Sequence, residues 1–298
     1  MRGSIGIEIG AASIIALAVD EQGAVVARVD RALGAGDAAA AALSAAIAVT
    51  KEAGLPANGP AGLAMYEPFS SEASAIAGAL RESFRVPASV ASLGTAAVSA
   101  EAWCGAATGA GNVVGLLVGD RVAAGALLNG APWTGAHGLA GSAAWLALNP
   151  VERQDYRQHG CLDAEISSRG IARRLAWRVE AGDLSRVVER AGGLEAVTAQ
   201  HVFDGARAND GVAISVVRDT VRYVGMAIAN LVTMFDPEVV VLGGEIAAAR
   251  DLLLEPVRQE CQRRVSPDLA QHLRIAASSL GDAAAAIGAA RLAAIASP

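Results

Sequence analysis

Ile5-Gly-Ile-Glu-Ile-Gly-Ala-Ala-Ser-Ile-Ile-Ala-Leu-Ala-Val19 holds two apolar runs around a turn of small residues. Residues 5–9 read as a strand, Gly10-Ala11-Ala12 as the turn and 13–19 as a second strand; Asp20-Glu-Gln-Gly23 turns again into a third strand over 24–29. The opening recurs. Gly6-x-x-x-Gly10 is matched by Gly115-x-x-x-Gly119 inside a second strand–turn–strand unit, 112–119 then 121–128. The first meander runs on through helices at about 37–53, 71–84 and 95–106, separated by strands at 61–65 and about 87–91. The second leads through a Gly-rich loop (130–141) into helical sequence, whose longest periodic stretch is 210–235. That helix stops at Asp236-Pro237 because the residue before proline disfavours helix. A strand over 238–242, a helix over about 248–264, a strand over 272–277 and a last Ala-rich helix N-capped by Asp282 complete the chain. Two meanders, each followed by crossovers, indicate a duplicated α/β fold with a cleft between its halves.

Composition narrows the function. Of 298 residues, 53% are hydrophobic and 18% charged, which excludes disorder. Aromatics are 4% and alanines number 69, so the core must be built from Ala, Val, Leu and Ile. The single lysine, Lys51, lies outside any Gly-rich turn, which removes a Walker A loop. A net charge of −6 argues against nucleic-acid binding. The uncharged run 122–151 carries five glycines and two prolines, too many breakers for a membrane span. Cys104, Cys161 and Cys261 are odd in number and far apart, as in a reduced cytoplasmic protein. Excess apolar surface points to a homodimer.

Asp236-Pro-Glu-Val-Val-Val-Leu-Gly-Gly244, Asp251-Leu-Leu-Leu-Glu-Pro-Val-Arg258 and Ser279-Leu-Gly-Asp-Ala-Ala-Ala-Ala-Ile-Gly-Ala-Ala290 resemble the last third of the ROK family of sugar kinases and sugar-responsive repressors. Ile5-Gly-Ile-Glu-Ile-Gly-Ala11 resembles its first phosphate loop, and Asn129-Gly130, Gly135, Gly138-Leu-Ala-Gly141 and Gly160-Cys161-Leu162-Asp163 follow in the family's order. The resemblance implies an α/β fold of two actin-like (ribonuclease H-like) domains, with mixed five-stranded sheets around a central cleft for a nucleotide and a sugar. It divides the chain into 1–110, 111–281 and a terminal helix, 282–298, packing back on the first domain.

The site residues this resemblance picks out depart from the family pattern. The first loop, Asp-x-Gly-Gly-Thr in the family, is Glu8-Ile-Gly10-Ala11-Ala12 here. Glu8 keeps a carboxylate, or is simply a strand acid satisfied locally, while Ala11 adds a Cβ and Ala12 lacks the hydroxyl. The second loop, Gly-Thr-Gly-x-Gly, becomes Gly119-Asp120-Arg121-Val122-Ala123, where Asp120 would repel phosphate; Arg121 is an alternative phosphate ligand, or Asp120-Arg121 is simply a solvated turn. The adenosine side keeps Gly243, Gly244 and Gly281. In the family's Asn-Asp-x-Asn the acid is the catalytic base; here the stretch is Ser92-Leu93-Gly94-Thr95, and Leu93 accepts no proton. Ser92 or Thr95 then serves as a helix N-cap, and Glu101 is a helix residue, not a displaced base.

The sugar-gripping Glu and the His of Gly-x-x-Gly-x-Ala-Gly-Glu-x-Gly-His are replaced by Ser142 and Trp145, with His137 out of register. Asp163 stands for a sugar-binding Glu. The zinc motif retains only Cys161 and His159, with Gln154 and Tyr156 at thiolate positions, too few ligands for a structural metal. The segment between Tyr66 and Val86 lacks the family's sugar-covering loop. Together these changes imply a ROK-like protein that has lost phosphoryl transfer and acts as a non-catalytic binding or regulatory homodimer. No cofactor, nucleic-acid partner or membrane is expected, and the ligand is a small molecule of unknown identity. The alternatives are an active ATP- and Mg²⁺-dependent glucokinase-like enzyme using Glu8, Asp120 or Asp163 as base, and a sugar-responsive regulator. The latter is disfavoured by a chain opening at the first strand, with no room for a helix-turn-helix.

Overall fold

The computed structural model describes residues 3–34, 36–56, 58–85 and 88–297. Its first half runs β1 (Gly3–Ile9), β2 (Ser13–Asp20), β3 (Val25–Ala32), α1 (Ala38–Glu52), β4 (Ala61–Met65), α2 (Ser71–Phe84), β5 (Ala88–Ser92) and α3 (Leu93–Cys104). There follow β6 (Val113–Val118), β7 (Val122–Leu128) and the two-residue β8 (Ala131–Pro132). A helical stretch comprises α4 (Gln154–His159), α5 (Cys161–Ile166), α6 (Ser168–Glu180), α7 (Arg186–Ala191), α8 (Ala199–Arg207) and α9 (Gly211–Phe235). β9 (Val239–Gly244), α10 (Arg250–Gln262), α11 (Pro267–His272), β10 (Ile275–Ala277) and α12 (Ala284–Ala296) end the chain.

The sheets are ordered β3-β2-β1-β4-β5 and β10-β9-β6-β7-β8. Read from β8, the second repeats the first strand for strand, as the two glycine-spaced openings anticipate. Both are mixed. In the first, β1 pairs antiparallel with β2 and parallel with β4, and β5 continues parallel to β4. In the second, β9 and β10 are parallel and β7 and β8 antiparallel.

The chain divides into two compact units: Met1–Gly115 with Ala124–Gly141 and Ser278–Pro298, and Leu116–Ala123 with Ser142–Ala277. In the first unit β2 alternates strictly. Ile14, Ala16 and Ala18 join one buried cluster with Ala42, Val49, Ile76 and Leu80 of α1 and α2, while Ile15, Leu17 and Val19 join another with Ala100, Ala286 and Ile287 of α3 and α12. This is the period-2 geometry of a strand covered on both faces. α12 sits on backbone. A Cβ at Gly6 would stand 1.7 Å from Ala286 O, one at Gly62 1.9 Å from Ala289 O, and one at Gly288 1.7 Å from Ala96 O. Alanine-rich sequence therefore buys close approach in place of bulky interdigitation. In the second unit the 25-residue α9 packs on α5, α6, α8 and α10.

Three expectations change. Asp282 does not cap α12: the cap is Ala283, without a side-chain bond, because Asp282 lies in a 3₁₀ turn (Gly281–Ala283) and pairs with Arg28. The strand expected over 272–277 is only Ile275–Ala277, because Ser266 caps a short helix with Pro267 in its first turn. α3 begins two residues early because Ser92 Oγ accepts Thr95 N–H. Residue 87 of the strand expected over 87–91 lies outside the described residues. Among the described residues no helix is long and apolar enough to cross a membrane.

Candidate active site

Leu93 is the first residue of α3 and is 4% exposed. The turn that carries it is pressed on β7: a Cβ at Gly94 would stand 1.9 Å from Ala124 O, and one at Gly125 2.2 Å from Gly94 O. Ser92 is spent on the cap. Its hydroxyl also lies 2.9 Å from Thr95 Oγ1, to which it donates. Glu101, buried two turns on, accepts from Ala106 N at 2.7 Å, from Ser278 Oγ, and from Leu280 N at 3.3 Å. It ties the end of α3 to the segment leading into α12, a structural task that leaves it no free oxygen for a substrate proton.

Glu8 lies near the end of β1, opposite Ile15 and Ala64, ahead of the exposed turn residues Ala11 and Ala12. Gly10 N–H closes that turn on Ser13 O at 2.8 Å. The Glu8 carboxyl makes no hydrogen bond among the described residues, so the local satisfaction considered for it is not realised. Burial pushes it up to about 7; Asp282 adds to the rise and Arg28 opposes it. Arg28, on β3, forks between Asp30 (3.0 Å to each oxygen) and Asp282 (3.1 and 2.7 Å). The Arg28 pairing holds Asp282 below the usual carboxylate range. Gly281, in the same turn, has φ +59, which a glycine takes without strain.

In the second unit, Gly119-Asp120-Arg121 reverses the chain between β6 and β7, with Gly119 N–H on Arg121 O at 3.2 Å. Asp163, expected in a sugar pocket, accepts Val122 N–H at 2.7 Å and is 4% exposed. It is a brace for the start of β7, and burial raises its carboxyl, against that N–H and Arg121. A further acid faces this turn: Glu245 accepts from Ser168 Oγ at 2.6 Å, and its Oε1 would be 3.8 Å from a Cβ on Gly119. Gly244 has φ +76, and a Cβ there would meet Val118 O at 2.4 Å, so packing on β6 accounts for this glycine. Gly243 is buried in β9.

Ser142 and Trp145 are both exposed, Trp145 by 56%; Ser142 precedes a 3₁₀ turn that Trp145 ends, and His137 is exposed in the preceding loop. Cys161 is buried against Tyr156, Ala164 and Leu148, whereas His159 and Gln154 face solvent. Among the described residues no group of three His, Cys, Asp or Glu could hold a metal ion. At the expected thiolate position Tyr156 enters a polar network instead. It donates to Glu165 and accepts from Asn149 Nδ2 at 3.1 Å, and Asn149 reaches Tyr223 at 3.3 Å. Arg153 pairs with Glu165 (3.1 Å) and Asp155 (2.7 Å) and lies 4.2 Å from the Tyr156 ring centroid. Burial and the Glu165 bond push the Tyr156 hydroxyl far above its ordinary value.

One cavity in the first unit, of about 370 Å³, gathers Ser92, Thr95 and Gly138 with Phe69, the exposed residue that begins where the family's covering loop is missing. None of its lining residues is ionisable.

The ROK family model matches residues 4–295 of this chain. The chain belongs to the ROK family. It is 32% identical over 211 residues to a glucokinase of Halalkalibacterium halodurans, covering 70% of this chain and 64% of that protein. It is 23% identical over 209 residues to a xylose repressor of Bacillus spizizenii, covering 70% of this chain and 51% of that one. The match thus spans less than two thirds of the length of these curated relatives. A ROK glucokinase from Streptomyces griseus, solved with glucose and AMPPNP, superposes with a TM-score of 0.82 at 24% identity, covering 98% and 99% of the two chains. It shares the actin-like α/β fold.

Measured against the ROK pattern, the structure gathers Glu8, Arg28 and Asp282 at one end of the first sheet, and Gly119, Asp163 and Glu245 around the second turn. Sequence reasoning missed Arg28, Glu165 and Glu245. Glu165 carried a signal: an acid in the otherwise apolar turn around Leu162, Ala164 and Ile166 demands a buried partner.

Proposed function

We propose that this ROK chain has lost phosphoryl transfer and serves as a non-catalytic, ligand-binding homodimer. The burial of Leu93 at the base position carries the reading. Two acids near the site are engaged elsewhere: Glu101 holds Ser278 and Leu280, and Asp163 Oδ1 holds Val122. A triphosphate does not fit these residues either. Asp120 and the exposed Glu245 put two negative charges beside Gly119 against the single positive charge of Arg121, so a phosphate there meets like charge. No step through a nucleotide or metal is derived. Association is supported by large apolar side chains left exposed, among them Leu184 at 96% and Met234 at 77%. The test is a coupled assay with ATP, Mg²⁺ and glucose, mannose or N-acetylated amino sugars. No turnover is expected, and a rate in the ordinary range of roughly 1–10³ s⁻¹ refutes the proposal.

One observation favours a second reading, an active sugar kinase. Glu8 is a carboxyl left without a hydrogen bond among the described residues, and near 7 it has the affinity for a proton suited to a general base. If that reading holds, Glu8→Gln abolishes a measurable wild-type turnover.

A further inference from the structure

The cavity in the first unit lies at the free edge of β5, the end strand of its sheet, beneath the last turns of α12. At about 370 Å³ it falls within the size of small-molecule sites. Two features define what it can hold.

Its walls are apolar. Phe69 is 66% exposed and Ile295 64%, unusual for side chains of this size, and both line the cavity with Val90 and Leu292. The Phe69 ring lies on bare backbone at Gly138, where a Cβ would stand 2.2 Å from its Cζ.

Its polar side-chain groups are hydroxyls, and two of them, on Ser92 and Thr95, are bonded to each other. Thr95 is 4% exposed. Its hydroxyl accepts from Ser92 Oγ, while Ser92 Oγ in turn accepts Thr95 N–H. The Thr95 hydroxyl proton then has no acceptor among the described residues. With the hydroxyl bond reversed the spare proton sits on half-buried Ser92; in either arrangement the pair has two protons and one mutual bond, which leaves one donor for a ligand oxygen in the cavity.

With no ionisable wall residue, a phosphate or carboxylate would be desolvated without a counter-charge. A free hexose would bring many hydroxyls to a wall whose side-chain hydrogen-bonding groups are the hydroxyls of Ser89, Ser92, Thr95 and Thr134. We propose that this cavity binds a neutral molecule with an aromatic or aliphatic body against Phe69 and Ile295 and one acceptor oxygen on the Ser92–Thr95 hydroxyl pair. The proposal rests on the non-catalytic reading above and gives its ligand a chemical class.

The probe is 4-fluoroacetophenone, a neutral aryl ketone, titrated by ¹⁹F NMR against the full chain. A ligand of about ten heavy atoms reaches roughly millimolar affinity at ordinary efficiency. Saturable binding near 1 mM is expected, with 4-fluorobenzoate at least about tenfold weaker and no competition from glucose or glucose 6-phosphate. Phe69→Ala and Ile295→Arg should each weaken the ketone about tenfold or more without moving the melting temperature, because both side chains are mostly exposed. Absence of saturable binding at about 10 mM, equal binding of the benzoate, or ketone binding undiminished in both variants would overturn the assignment. The two readings fail separately: hexose phosphorylation overturns the non-catalytic one, and loss of saturable ketone binding overturns this one.

Discussion

Replacing Glu101 by Gln separates a structural acid from a chemical one. The wild-type carboxylate serves Ala106 N through Oε2 and both Ser278 Oγ and Leu280 N through Oε1. Glutamine keeps the volume but offers one acceptor. The Ser278 hydroxyl can rotate to accept from the new amide, whereas Ala106 N cannot, so the carbonyl turns to Ala106 and Leu280 N is left unpaired. Losing one hydrogen bond to a charged group, at 2% exposure, costs about 2 kcal/mol. For a domain of this size that lowers Tm by about 4–8 °C. Glu101→Ala, which also opens a cavity and orphans Ala106 N, should cost about 4 kcal/mol. Thermal melts at neutral pH measure both, and Ser278→Ala combined with Glu101→Gln should be less than additive. A Gln variant melting within about 1 °C of wild type refutes the reasoning and returns Glu101 to the list of functional acids.

Glu8 should make stability pH-dependent. Its folded form holds a proton up to about 7 against an ordinary 4.5, so stability is full below 4.5 and falls as pH rises through 7. Glu8→Gln should therefore raise stability at pH 8 by about 2–3 kcal/mol, and Tm with it, and leave both nearly unchanged at pH 4; parallel Tm–pH profiles would contradict this. Gly288→Ala, whose Cβ would stand 1.7 Å from Ala96 O, should cost more than about 3 kcal/mol, whereas Gly78→Ala, in open space on α2, should stabilise by about 0.5–1 kcal/mol. Melts of the pair check both signs. The purified protein should carry no stoichiometric zinc by elemental analysis and keep its Tm in chelator, while Tyr156→Phe, which strips a donor from buried Glu165, should lower stability by about 1–2 kcal/mol.

Much of the architecture was legible because the local signals agree with the packing. β4 and α2 occupy 61–65 and 71–84 as their periodicity and the cap at Ser70 require. The duplicated glycine spacing pointed to a duplicated fold, and the two sheets share one strand order. What escaped reading depends on contacts distant in sequence. Asp282 looks like a helix cap until Arg28, 254 residues away, takes its carboxylate. Asp163 is named as a sugar ligand by its place in the motif, and its bond to the N–H of Val122 shows only in the fold. The helix at Pro267 was the exception, since a Ser-Pro-Asp start was present and went unread. Of the site, Leu93 in place of a base was visible in sequence; the free proton on the Ser92–Thr95 pair required coordinates.

The glycine seat of α12 also sets the order of events in biosynthesis. Strands β1 and β4 and helix α3 are made early, yet the face they present is bare backbone at Gly6, Gly62 and Ala96, shaped to receive Ala286, Ala289 and Gly288. No intervening side chain can fill that groove provisionally. The first unit must wait, half-covered, until residues 284–296 have left the ribosome, while the helices around α9 can already consolidate. A nascent chain of this protein is thus exposed to aggregation and to chaperones through its first unit until residues 284–296 can cover it.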